Sequence, residues 1–275
     1  MTKKFFIVGC PRSGTTLLQA MLGANAEVFT LPESHFFRKS FRGRKAFFLR
    51  GYYASAVLRK WLKTVGQEKE TNRVPRFTFA RKPVVDAFVR IMDSLASEKD
   101  CTAWLEKTPG HVFVINHIEK YIPEAFFVHI VRDGRATVAS LHDAAQKYPE
   151  VWRNHSLENS VTLWNKAIQE SAKHTQKENH LFLSYERLTI QPKKTLQSIC
   201  HFLGLEFDIS MLDNYQTTAA EIILPGQDWV RNAQKELARF NLTKYQTILN
   251  EAEQEFVETN LIRLPDSLLR KTQND

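Results

Sequence analysis

A chain of 275 residues with 43% hydrophobic and 11% aromatic side chains can bury one large core. Its three cysteines, Cys10, Cys101 and Cys200, are odd in number and widely spaced, which excludes a disulfide framework or a cysteine-rich zinc module and marks them as reduced core residues. The FFIV run after MTKK is too short for a signal-peptide core or a membrane span, so a cytoplasmic protein is expected.

In chain order, KKFFIVG predicts a short buried strand, then a glycine loop, then a helix from Thr15 to Leu22 that ends at Gly23. AEVFTL predicts a second short strand. Residues 34–82 read as irregular, with a helix near Tyr52 to Val65. PVVDAFVRIMDSLASE has Pro83 at a first helical position and Val84, Ala87, Phe88, Ile91 and Leu95 on one face, so it reads as helix. TAWLEK is a strand, GHVFVINHIEKYI a helix, and AFFVHIVR an apolar strand ended by Arg132 and Asp133. GRATVASLHDAAQKY and SLENSVTLWNKAIQESAKHTQ are helices, NHLFLSY a strand, and PKKTLQSICHFLGL a helix closed by Gly204. Strand and helix alternate in this way over most of the chain, which predicts an α/β fold: a parallel sheet with helices on both faces, in one domain. Residues 34–82 then form a basic elaboration over the sheet edge, and residues 208–275 a helical C-terminal part.

The net charge of +8 is unevenly placed. No acidic residue falls between Ser34 and Gln67, whereas Arg38, Lys39, Arg42, Arg44, Lys45, Arg50, Arg59, Lys60 and Lys63 all do. Such a stretch is either a solvated basic face or a field for an anionic partner, whether acidic substrate, lipid surface or nucleic acid.

The loop GCPRSGTT carries the chemistry. Gly9 and Gly14 have the spacing of a Walker A loop and Thr16 fills its hydroxyl position, but Thr15 stands where the lysine belongs. A helix N-terminus entered by a glycine loop is an anion site, to which Thr15 and Thr16 add hydroxyls. The strand AFFVHIV ends in Arg132 rather than in a metal-holding aspartate. Loss of both lysine and carboxylate points to an anionic donor handled without magnesium.

GCPRSGTTLL resembles the 5′-phosphosulfate loop of the sulfotransferases that use 3′-phosphoadenosine 5′-phosphosulfate (PAPS), particularly the heparan-sulfate and tyrosylprotein types. The resemblance implies that Arg12, with Ser13, Gly14, Thr15 and Thr16, contacts the phosphosulfate, and a guanidinium suits that role because its planar fork pairs bidentately with phosphate or sulfate oxygens. HIVRDGRATVASLHD resembles the family's 3′-phosphate element, implicating Arg132 and Ser140, eight positions on. LSYERL resembles the segment whose tyrosine lies by the adenine, implicating Tyr185, or else Tyr185 is an ordinary rim residue. Trp164 reads as helix packing, and Arg231 is a weak candidate for a further phosphate contact.

LPESHFF resembles the segment that supplies the general base in the heparan-sulfate and tyrosylprotein types, which gives Glu33 that role, with His35 as the rival base. WLEKTPGHVF resembles the stretch whose lysine lies near the bridging oxygen, so Lys107 is expected there. The bland alternatives are an exposed loop lysine at Lys107, a surface partner at Glu106 and a helix-start residue at His111. The implied reaction is metal-free transfer of a sulfuryl group from PAPS, leaving PAP, to a hydroxyl of an anionic or amphiphilic acceptor, such as a glycolipid or acidic oligosaccharide. Contact with a membrane surface fits that acceptor, and no nucleic-acid partner is expected. A P-loop kinase or a non-enzymatic anion-binding module are the alternatives.

Overall fold

The computed structural model describes residues 2–41, 49–152, 154–238 and 240–273. Five strands, β1 (Lys3–Gly9), β2 (Val28–Thr30), β3 (Ala103–Lys107), β4 (Phe126–Val131) and β5 (His180–Ser184), form one sheet in the order β2-β3-β1-β4-β5. Every pairing is parallel. Helices α1 (Thr15–Gly23), α2 (Phe36–Phe41), α3 (Arg50–Thr64), α4 (Lys82–Ser97), α5 (Ile115–Tyr121), α6 (Gly134–Lys147), α7 (Pro149–Trp152), α8 (Leu157–Ala172), α9 (Tyr185–Ile190) and α10 (Pro192–Leu203) alternate with the strands or follow them.

Strand alternation sorts the core into two layers. Phe6 and Val8 of β1 face a layer with Trp104, Phe127, Phe36, Phe37 and Phe88. Phe5 and Ile7 face the other, with α1, α10 and the residues Leu105, Val128 and Ile130. The α/β expectation therefore holds, with β1 in the middle of the sheet. Because β1 has β3 on one side and β4 on the other, the loop after β1 lies between the ends of those two strands, where ligands of open parallel sheets bind. Register places Ile7 beside Lys107 and Gly9 beside Ile130, so Lys107 and Arg132 flank the loop.

Three expectations need correction. In residues 34–82 the expected helix is α3, but α2 precedes it unforeseen, and its Phe36 and Phe37 are core residues rather than part of an outlying cover. The helix read over 110–122 is a 3₁₀ turn, Pro109–Val114, before α5 takes over. Cys10 and Cys200 are buried as expected, but Cys101 is half-buried. Arg42, Arg44 and Lys45 of the basic stretch lie outside the described residues. No helix among the described residues is long and apolar enough to cross a membrane.

Candidate active site

Gly14 makes the loop possible. Its φ is +90°, and a Cβ there would lie 2.3 Å from Tyr185 Cδ2, so both the backbone conformation and the close approach demand glycine. The N-terminus of α1 has no side-chain cap, which leaves its first N–H groups directed at the space beyond the loop. Arg12 also has a positive φ, +73°, uncommon for a non-glycine residue and a common trait of ligand-clamping loops.

Above this loop opens a cleft of about 920 Å³, whose lining includes Arg12, Gly14, Thr15, Thr16, Glu33 and His35. Arg132, Ser140 and Tyr185 line it too. The two arginines meet there. Arg132 Nη1 donates to the Arg12 carbonyl at 2.9 Å, and its guanidinium lies 4.5 Å over the Tyr185 ring. Arg12 Nε donates to Ser140 Oγ at 3.2 Å, and its Nη1 to the Trp229 carbonyl. Ser140 projects from the second turn of α6, whose N-terminus is capped by Asp133. Asp133 also pairs with Arg135 at 3.0 Å. Trp164 packs as expected and also donates to the Arg132 carbonyl at 3.1 Å, fixing the strand end.

Burial, and then the neighbouring Arg132, push the Arg12 guanidinium down to about 10, and burial lowers Arg132 as well. Both stay charged at neutral pH, two buried like charges whose mutual repulsion an anion would relieve. Arg132 Nε is buried with no hydrogen-bond partner among the described residues, a donor waiting for an acceptor. A donor with two anionic ends fits this set of arginines, helix N–H groups and hydroxyls.

Glu33 lines the same cleft. Lys107 forms an ion pair with Glu33 Oε1 and donates to Thr16 Oγ1 at 3.0 Å. The Lys107 side chain is only 3% exposed, so it is no loop lysine in solvent but a buried partner of Glu33 and Thr16. His35 Nε2 is 3.5 Å from Glu33 Oε2. Burial lowers the His35 pKa, against the raising effect of Glu33, so the imidazole is neutral at pH 7. Ser13 is buried and does not line the cleft, so the loop offers its backbone rather than that hydroxyl. The side chain of Arg231 lies outside the described residues.

Glu106 is also corrected, while His111 stands in the first turn of the Pro109–Val114 3₁₀ helix as expected. Glu106 is no surface partner: it is 3% exposed and accepts from Ser34 and Thr108, with His111 Nδ1 at 2.8 Å. His111 is fully buried against it. The residue parity of β3 carried this signal, because Glu106 shares the face of Trp104 that looks into the aromatic layer, while Lys107 shares the face of Leu105. Residues with no sequence signal also reach the cleft: Lys244, Trp152, His155 and Trp229.

A phosphate-type loop on a parallel α/β sheet, flanked by two arginines and a Glu–Lys pair, defines a P-loop-type site for a doubly anionic ligand. The family model described as Sulfotransferase family matches residues 4–209, and the chain belongs to that family. Protein-tyrosine sulfotransferase A of Caenorhabditis elegans is 28% identical over 224 residues, covering 80% of this chain and 54% of that protein. Protein-tyrosine sulfotransferase 2 of Gallus gallus is 28% identical over 213 residues, covering 75% and 52%. The chain thus spans about half the length of the curated relatives it matches. Among solved structures, the sulfotransferase domain of the Synechococcus PCC 7002 olefin synthase superposes with a TM-score of 0.63 at 19% identity, covering 96% of this chain and 98% of that one. The mouse sulfotransferase SULT7A1 complexed with PAP does so with a TM-score of 0.54 at 13% identity, covering 96% and 86%. These two likenesses establish the shared fold.

Proposed function

We propose that this protein transfers the sulfuryl group of PAPS to a hydroxyl acceptor, with Glu33 as general base and no catalytic metal. The observation that carries the reading is that one cleft is lined by Glu33 and Thr16, both held by Lys107, and by Arg12, Arg132 and Ser140. The arginines, the N–H groups of α1 and the loop backbone hold the donor's phosphates. Glu33 takes the acceptor proton as the acceptor oxygen bonds to sulfur. The bond from sulfur to the bridging oxygen breaks, and Lys107 donates a hydrogen bond to that departing oxygen. Most of the acceleration comes from these fixed charges, and a positioned base adds ~10²- to 10⁴-fold.

The acceptor side of the cleft favours an amphiphilic, anionic molecule. Phe41, Phe113 and Trp152 supply apolar wall, while Arg38 and Lys166 supply positive charge, and Glu33 is the one carboxylate lining the cleft among the described residues. The names of the relatives make a phenolic hydroxyl the first class to screen, beside sugars and glycolipids. A basic, aromatic patch nearby favours acceptor delivery at an anionic membrane surface. Phe77 and Phe79 are 89% and 70% exposed, the Phe79 carbonyl accepts from Gly51 N–H, and Leu49 and Tyr52, on either side of Gly51 in sequence, are exposed as well. Arg76 and Arg81 flank the loop, and Arg81 lies 4.8 Å over Phe41 of the cleft wall. An acceptor screen with labelled PAPS tests the reading, and labelled product that depends on Glu33 supports it.

A further inference from the structure

Three consecutive residues at the end of β3 each grip one residue of the segment 33–35. Lys107 pairs with Glu33. Glu106 Oε1 accepts from Ser34 Oγ at 2.6 Å and from Ser34 N–H at 3.3 Å. Thr108 Oγ1 accepts from His35 N–H at 3.1 Å and donates to Glu106 Oε1 at 2.7 Å. Ser34 Oγ further accepts from Phe36 N–H at 3.1 Å, tying the grip to the start of α2. His111 Nδ1 lies 2.8 Å from the remaining carboxylate oxygen.

This network is shielded from bulk solvent: Ser34, Glu106, Thr108 and His111 are all buried. A carboxylate without partners would be strongly unfavourable there. Burial pushes the Glu106 carboxyl up, but His111, Ser34 and Thr108 outweigh it and hold it at about 2, so it accepts hydrogen bonds as an anion throughout the working range. The segment it grips has reason to move otherwise, because His35 stands at φ +51°, a left-handed conformation unfavourable for a non-glycine residue. Glu33 and His35, the two candidate bases, sit on either side of the gripped Ser34.

We infer that Glu106, Thr108 and Ser34 are positioning residues that lock the 33–35 turn so that Glu33, rather than His35, is held against Lys107 at the reacting end of the cleft. The inference rests on the sulfuryl-transfer reading above. None of the three lines the cleft, so they act through Glu33.

The test is a double-mutant cycle between Thr108 and Glu33, read as formation of sulfated 2-naphthol and release of PAP from labelled PAPS. Thr108→Val keeps the side-chain volume, strands the His35 N–H and removes one donor from Glu106. It should lower kcat by ~10- to 100-fold, the usual consequence of a displaced catalytic group. PAP affinity by calorimetry should stay within about twofold, because no donor contact is touched. Thr108→Ser, which keeps the hydroxyl, should restore turnover. In a Glu33→Gln background Thr108→Val should cost nothing further, since the base it positions is gone. Equal losses from Thr108→Val in both backgrounds, or a Thr108→Ser variant as slow as Thr108→Val, would overturn the inference while leaving sulfuryl transfer standing. A wild-type protein that binds PAP but forms no product and releases no PAP overturns the transfer reading, and the positioning role with it.

Discussion

Gly14→Ala separates the geometry of the loop from its charge. The new Cβ would meet Tyr185 Cδ2 at 2.3 Å and Cε2 at 2.5 Å, far inside the ordinary carbon–carbon contact of about 3.5–4.0 Å. Either the ring leaves its place over Arg132, or the loop retreats from the cleft. The φ of +90° adds backbone strain of about 1–2 kcal/mol. At about 2–4 °C per kcal/mol for a chain of this size, strain alone lowers Tm by ~2–8 °C. Displacing the ring also removes a cation–π contact of about 0.5–2 kcal/mol from Arg132, so PAP affinity should fall by ~2- to 30-fold. Gly66→Ala is the control: its φ is +74° but nothing lies within 4 Å of the added Cβ, so it carries strain without collision. The assay is calorimetric titration with PAP alongside thermal melting. If Gly14→Ala binds PAP as tightly as Gly66→Ala does, the backbone is not required to approach the donor at Gly14 and the loop reading is wrong.

Arg132→Ala should act mainly on donor KM, by the ~1.5–3 kcal/mol typical of a hydrogen bond to a charged group, whereas Arg12→Ala should impair both KM and kcat. His35→Ala should be mild; if instead it abolishes turnover and Glu33→Gln does not, His35 is the base. Acid should weaken the fold in two stages. His129 Nε2 meets His180 Nδ1 at 2.8 Å, His180 Nε2 meets Glu119 at 3.1 Å, and His174 and Lys177 pack around them. Burial holds His180 down at about 4 and lowers His129 and His174, so the unfolded chain binds more protons below pH 6.5 and stability falls as pH drops from there toward 4, by on the order of 3 kcal/mol for His180. Glu106, held at about 2, adds stability that is lost below about pH 4.3; a Tm unchanged between pH 7 and pH 4 would contradict the first stage. Phe77→Ser with Phe79→Ser should abolish sedimentation with phosphatidylglycerol vesicles, and equal binding by wild type and variant would remove the patch from the account.

The strands were legible because FFIV and FFVHIV are short apolar runs bounded by loop and polar residues, and the loop because glycine spacing and a following helix signal one another. The site residues Arg12, Arg132, Ser140 and Tyr185 meet in one cleft, as the motifs implied. In residues 34–82 the helix α3 was legible in the sequence, but the short α2 was not, and only tertiary packing shows that Phe36 and Phe37 belong to the core. Glu106 was misread because a polar residue near a strand end suggests surface, although the parity of Trp104 and Glu106 already put the carboxylate on the aromatic face. Lys244 and Trp229 reach the cleft from distant, weakly patterned segments that no local signal connects to the loop.

The most direct measurement compares wild type and Glu33→Gln for transfer of ³⁵S from PAPS to the best acceptor of a phenol, sugar and glycolipid panel, in buffer containing EDTA, with PAP affinity measured in parallel. The account predicts labelled product from wild type, a rate lower by ~10²-fold or more in Glu33→Gln, and equal PAP affinity in both. Full activity in Glu33→Gln, or turnover only of Mg-ATP with none of PAPS, would contradict it.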